Sequence, residues 1–144
     1  MKPQKGFTII ELIVVIAIIA ILASIVLVNV TQYINKAKDA TIKANIDAML
    51  TNASAYMADV DRGDGDFMGF IALPEYSAPA DAIEEANGTG DITVNCDDAD
   101  TACDDTEATK FCISTTLATN TETVYCKDSS GAVGTAVCVE GACP

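Results

Sequence analysis

The apolar residues of this chain are crowded at one end. From Phe7 to Val30 the only charge is Glu11, and the uncharged polar exceptions are Thr8, Ser24 and Asn29. As a helix this run would be roughly 36 Å long at about 1.5 Å per residue, enough to cross a bilayer. Beyond it the pattern changes from apolar all round to one-sided. Ile34, Ile42, Ile46, Met49, Ala53, Tyr56 and Val60 recur at the spacing of one helical face, with Leu50 and Met57 widening the stripe. Lys38, Asn45, Asp47, Asn52, Ser54 and Asp59 occupy the other side. No proline interrupts residues 7–62, and glycine first returns at Gly63. The spacing predicts one helix from about Thr8 to Asp61, spanning in its first half and amphipathic in its second.

The rest of the chain reads differently. Arg62-Gly63-Asp64-Gly65-Asp66 breaks the helix, and Pro74, Pro79, Gly88 and Gly90 punctuate a connecting loop over 63–91, with a helical turn possible at Asp81–Ala86. Ile92-Thr93-Val94, Lys110–Leu117, Glu122–Lys127 and Thr135–Glu140 are rich in Thr, Val, Ile, Phe and Tyr and read as strands. The short connectors Ala118-Thr119-Asn120-Thr121 and Asp128-Ser129-Ser130-Gly131 imply an antiparallel meander over 92–144. Neither the helix stripe nor the sheet can bury its apolar face alone, so an α+β fold is expected, the long helix packed on a small C-terminal antiparallel sheet.

Charge narrows the function. The chain has 21 acidic and 8 basic residues and no histidine. Only Lys2 and Lys5 precede the apolar run, whereas all acidic residues but Glu11 follow Val30. An anionic domain without a basic groove disfavours direct nucleic-acid binding. Without an imidazole base or a placed nucleophile the chain does not read as an enzyme, and no cofactor is expected. Asp59, Asp61, Asp64 and Asp66 fail the order of a calcium-binding loop, because an aspartate stands where the sharp-turn glycine belongs. Asp97, Asp98, Asp100, Asp104 and Asp105 are weaker-spaced calcium candidates, for which a solvated acidic loop is the preferred alternative.

The six cysteines are Cys96, Cys103, Cys112, Cys126, Cys138 and Cys143. An even number in a small exported domain favours disulfides, and zinc, the competitor, finds no histidine and no close C-x₂₋₄-C pair except Cys138 and Cys143. The preferred pairing is Cys96–Cys103, Cys112–Cys126 and Cys138–Cys143.

At the N-terminus, Ala17, Ala20 and Ala23 are followed by more apolar residues rather than a cleavage point, so a secretory signal peptide is not indicated. Glu11 lies five residues inside the apolar run, where a deeply placed carboxylate costs up to about 3 kcal/mol and calls for a partner. The order Lys5-Gly6-Phe7-Thr8-Ile9-Ile10-Glu11-Leu12-Ile13-Val14-Val15-Ile16-Ala17-Ile18 resembles the class III signal of type IV prepilins and pseudopilins. That resemblance implies a leader at 1–6, cleavage by a prepilin peptidase between Gly6 and Phe7, N-methylation of Phe7, an assembly helix at 7–30 continued by an amphipathic helix at 31–62, and the type IV pilin fold. It implies a cytoplasmic-membrane precursor and an extracellular filament, a homo-oligomer extended by an assembly ATPase and a membrane platform protein, with roles in adhesion, motility or DNA uptake. Phe7 and Glu11 would pair during assembly. The family also suggests Cys126–Cys143 as a rival pairing that closes the C-terminal loop. A type II secretion pseudopilin, or a single-span protein displaying a disulfide-stapled binding domain, are the alternatives. Many pilins carry a proline in the apolar half and this chain has none, which puts the helical state of Ser24–Asn29 within a filament in question.

Overall fold

A computed structural model of the chain describes residues 6–59, 61, 67, 69–97, 103 and 108–144, the side chains at 27–29 excepted. The helix α1 runs from Ile9 to Met57 and is followed by a 3₁₀ turn, Phe70–Ala72, and a second helix α2, Pro74–Asn87. Four strands complete the order: β1 Ile92–Cys96, β2 Phe111–Thr116, β3 Val124–Asp128 and β4 Val133–Gly134. The chain divides into two compact units, residues 1–34 and 35–144.

In the first unit the helix is continuous through Ser24, whose hydroxyl donates to the carbonyl of Ile21 at 2.7 Å. Among the described residues its isoleucines, leucines and valines are exposed, from Ile9 at 77% to Val30 at 44%. It is long and apolar enough to cross a membrane.

In the second unit the predicted stripe is the buried one. Ile42, Ile46, Met49, Leu50 and Ala53 join Phe67, Phe70, Ile83, Val94, Phe111 and Ile113 in one core. Phe111 sits at its centre, its ring 5.3 Å from Phe67 and edge-on to Phe70 at 5.7 Å. The helix ends four residues before the expected Asp61. After Met57 the backbone turns, Asp59 N–H donating to the carbonyl of Tyr56, and the Asp59 carboxylate takes the N–H of Asp61. Short acidic side chains compete with the helix for backbone donors in this way. Val60 and residues 62–66, part of the expected helix breaker, lie outside the described residues.

The expected loop over 63–91 is instead largely helical. Pro74 occupies the start of α2, where its missing N–H costs nothing. Pro79 lies inside α2 and cannot donate to the carbonyl of Glu75. That carbonyl accepts the side-chain amide of Asn52 from α1, at 3.0 Å. The side chain of one helix thus supplies a donor where proline deprives the other. Gly88, at φ 75°, terminates α2 in the left-handed conformation that glycine adopts without steric cost.

The sheet is a four-stranded antiparallel meander in the order β1-β2-β3-β4. Its pleat separates two faces. Cys96 opposite Phe111 and Val94 opposite Ile113 belong to the helix-side core. Cys112 and Ser114, the latter opposite Cys126, face the other way. The last expected strand, Thr135–Glu140, is absent: β4 stops at Gly134. Val137 and Val139 are exposed and Cys138 is buried. The alternation that resembles a strand therefore records a cysteine drawn inward for bonding, not pairing in a ladder.

The Asn52–Glu75 contact is testable by a double-mutant cycle on the full chain in detergent. Asn52→Ala is expected to cost about 1 kcal/mol in the parent and clearly less in a Pro79→Ala background, which restores the helical donor. Equal losses in both backgrounds would dissociate the amide from the proline.

Candidate functional site

Two clusters carry chemistry. The first lies at the start of α1. Gly6 and Phe7 precede the helix and are exposed, and a side chain at Gly6 would meet no neighbour. Thr8 precedes the helix and Glu11 lies in its first turn. The two grip each other reciprocally: Thr8 N–H donates to Glu11 Oε2 at 2.8 Å, the Thr8 hydroxyl donates to the same oxygen at 2.7 Å, and Glu11 N–H reaches Thr8 Oγ1 at 3.3 Å. This is a capping box, which satisfies donors left orphaned at a helix start. The spacing T-x-x-E was legible in the sequence, yet the resemblance drew attention to Glu11 alone and Thr8 was missed. The glutamate's negative charge also suits the positive end of the helix dipole. Met1–Lys5 of the expected leader lie outside the described residues.

The second cluster is the C-terminal tail. Cys96 bonds Cys103, the first of the preferred pairings. The other two bonds are Cys112–Cys138 and Cys126–Cys143, which replace the expected Cys112–Cys126 and Cys138–Cys143. Strand register explains the correction. Cys112 stands opposite Asp128 and Cys126 opposite Ser114, so the two cysteines are diagonal neighbours, not partners. Cys138 and Cys143 instead come down onto that face from the tail. Each closed loop, of 7, 26 or 17 residues, is worth roughly 2–4 kcal/mol on the chain-entropy account.

Hydrogen bonds hold the same tail independently of the sulfurs. Cys138 N–H donates to Ser114 Oγ at 3.2 Å, Gly141 N–H to Asn95 Oδ1 at 3.0 Å, and Cys143 N–H to Asp128 Oδ2 at 3.2 Å. At Gly141 the φ is 72°, and an added Cβ would come within 2.9 Å of the Lys110 carbonyl oxygen and the Asp97 nitrogen. Only glycine fits there without rearrangement. Asp128 is the anchor. Its other oxygen accepts Ser130 N–H, Ser130 hydroxyl and Ala132 N–H at 2.6 to 3.0 Å. Burial alone would raise its pKa, but these donors and Cys143 outweigh burial and hold it below the usual carboxylate range.

Of the calcium candidates, Asp97 has both oxygens engaged, by Thr109 N–H and hydroxyl and by Lys110 N–H. Burial works against its ionisation, and the same donors bring its pKa below the ordinary value. Asp97 thereby clamps the base of the acidic loop. Asp98, Asp100, Asp104 and Asp105 lie outside the described residues.

Residues 1–27 match the family model described as the prokaryotic N-terminal methylation motif. The type IV major fimbrial protein FimA of Dichelobacter nodosus is 36% identical over 98 residues, 64% of this chain and 61% of that protein. The type IV wide pilus major component PilA4 of Thermus thermophilus is 35% identical over 80 residues, 56% of this chain and 61% of that one. The type IV major alpha-pilin of Moraxella bovis is 46% identical over 55 residues, 38% and 35% of the two chains. The chain thus resembles type IV pilins in its N-terminal motif and over these partial alignments. It spans less than two thirds of the length of these curated relatives. No solved structure matches it significantly. The pilin fold expected from the resemblance is present as the long apolar helix and the small antiparallel sheet.

Asp128 gives a signed pH dependence. A carboxylate whose folded pKa is depressed adds stability that is fully present above its unfolded value of about 3.9 and is lost as pH falls through the folded pKa. Asp128→Asn is therefore expected to cost about 1–3 kcal/mol near neutrality, and the gap to the parent should close as pH falls below the usual carboxylate range. Thermal melts of both chains across that range check it; a gap independent of pH would assign the loss to shape instead of charge.

Proposed function

We propose that this chain is a structural subunit of a type IV pilus or pilus-like filament, made as a membrane-anchored precursor and displayed outside the cell. The observation that carries the reading is the conjunction at residues 6–11: an exposed glycine, a phenylalanine, and a glutamate at the first turn of an uncovered apolar helix. Cleavage by a prepilin peptidase between Gly6 and Phe7 would turn Phe7 into a new amine, which the peptidase would then methylate. That amine lies one residue before Thr8, within the same capped helix start as Glu11. In an apolar bundle an unpaired amine or carboxylate is expensive, whereas a close pair recovers much of the cost of each. Glu11 of one subunit pairing with the Phe7 amine of a neighbour would set the register in which each subunit enters the filament. The capping box adds a condition: Thr8 presents the carboxylate at the helix start, ready to accept that second donor.

In this reading the helix from Phe7 to Val30 spans the membrane before assembly and lines the filament afterwards. Residues 31–62 and 92–144 form the outer domain joined by 63–91. An assembly ATPase and a platform protein would extend the filament. The anionic, disulfide-tied exterior suits display outside the cytoplasm.

Mass spectrometry of the native chain is expected to find N-methylated Phe7 at the N-terminus. A chain starting at Met1 would favour a simple membrane-anchored domain. Glu11→Ala should be processed normally yet fail to appear in sheared surface filaments. Thr8→Val, which keeps the carboxylate but removes a donor, should reduce filament yield by less. Normal filament yield from Glu11→Ala would sink the pairing.

A further inference from the structure

Three of the six cysteines meet in one buried place, and a fourth packs against them. The Sγ atoms of Cys112, Cys126 and Cys138 all lie within 4.8 Å of one another, and Cys126 Sγ is 3.5 Å from Cys138 Sγ. Cys143 joins them through its bond to Cys126. Cys112, Cys126 and Cys138 are buried and Cys143 is partly exposed. Cys96 and Cys103 belong to the separate helix-side core.

The oxidised chain uses these sulfurs as two disulfides. The reduced chain would present four thiols in nearly the same positions, because hydrogen bonds that involve no sulfur place the tail. They are the contacts of Cys138 with Ser114, Gly141 with Asn95 and Cys143 with Asp128, together with the pairing of Cys126 and Gly134 across β3 and β4. A tetrahedral zinc tetrathiolate, with Zn–S of about 2.3 Å, has sulfur–sulfur edges of about 3.8 Å. Cys126 and Cys138, at 3.5 Å, lie close to that edge, and the sulfurs of Cys112, Cys126 and Cys138 are all within 4.8 Å of one another. Cys143, released from Cys126, would swing in as the fourth ligand.

We propose that these four cysteines constitute a second, metal-dependent closure of the tail: in the reduced chain they bind one soft divalent cation, zinc or a zinc-like ion, as a Cys₄ site. The two closures are mutually exclusive. Two disulfides take up four electrons and four protons from a reductant, such as a dithiol, to give four thiols; the cation then binds four thiolates and releases four protons. Reoxidation returns four electrons to the oxidant, reforms the disulfides and ejects the cation. The site would let the tail dock before oxidation, and it ties retention of the cation to redox state.

The test uses the full chain in detergent with Cys96 and Cys103 both changed to serine, reduced and kept anaerobic, and Co²⁺ as the probe. Expected are one cobalt per chain, the visible absorption of tetrahedral cobalt thiolate, displacement by Zn²⁺ and release on oxidation. Adding Cys138→Ser should weaken the site by at least about 10-fold. The four-thiol chain itself decides the matter even if that variant fails to fold. No tetrahedral cobalt spectrum, a stoichiometry other than one, or affinity indifferent to Cys138 would overturn the proposal.

Discussion

The surface of the first eighteen or so helical residues is the constraint from which the rest follows. Ile13, Val14, Ile16, Ile18 and Ile19 each expose more than half of their area, and together they lie on every side of the helix. Fully burying such a side chain is worth roughly 1.5–3 kcal/mol, so the run as a whole strongly disfavours water. A helix apolar all round belongs in lipid or in a bundle of its own kind. The same physics divides the helix in two. Once the pattern turns one-sided at Ile42, the chain supplies its own cover, and Ile42, Ile46 and Met49 are sealed by the domain.

What the domain lacks in core it recovers at its edge. Helix and sheet are joined around the phenylalanines, but β4 contributes two residues only, and the chain beyond Gly134 has no ladder to hold it. Sulfur bonds and a buried carboxylate replace the ladder. Asp128 collects donors from its own turn and from the tail at Cys143, so one side chain fixes both. Ion pairs add less: Lys127 with Asp47 is partly solvated, where such pairs are worth at most about 1 kcal/mol.

Periodicity served well where a single face or an uninterrupted run decided the structure. The apolar run, the stripe from Ile42 to Ala53 and the first three strands were legible because burial imposes their spacing. It served poorly where proline and cysteine carry double meanings. Pro74 and Pro79 read as loop punctuation, yet one starts a helix and the other is tolerated inside it, with Asn52 from a distant turn bonding the carbonyl it deprives. No local pattern announces that help. The tail around Cys138 alternates like a strand because a bonded cysteine turns inward between exposed valines. The cysteine pairing depends on strand register, which places Cys112 opposite Asp128 and not opposite Cys126, and spacing along the chain does not encode it. At the N-terminus the opposite happened: Thr8 and Glu11 were readable as a capping box, but the charge of Glu11 in an apolar run overshadowed its local role.

That local role alters how the charge should be regarded. An isolated carboxylate at this depth would be a defect awaiting a partner. With Thr8 donating twice to Oε2, the carboxylate is already part of the helix terminus, satisfying a backbone donor left orphaned there. Removing Glu11 therefore removes two things, a charge that can answer an amine and a cap that starts the helix. A conservative change at Thr8 separates them, since it leaves the charge and damages the cap. On the proposed function, local folding and assembly would use the same atoms at the helix start, and it is there that the two contributions can be told apart.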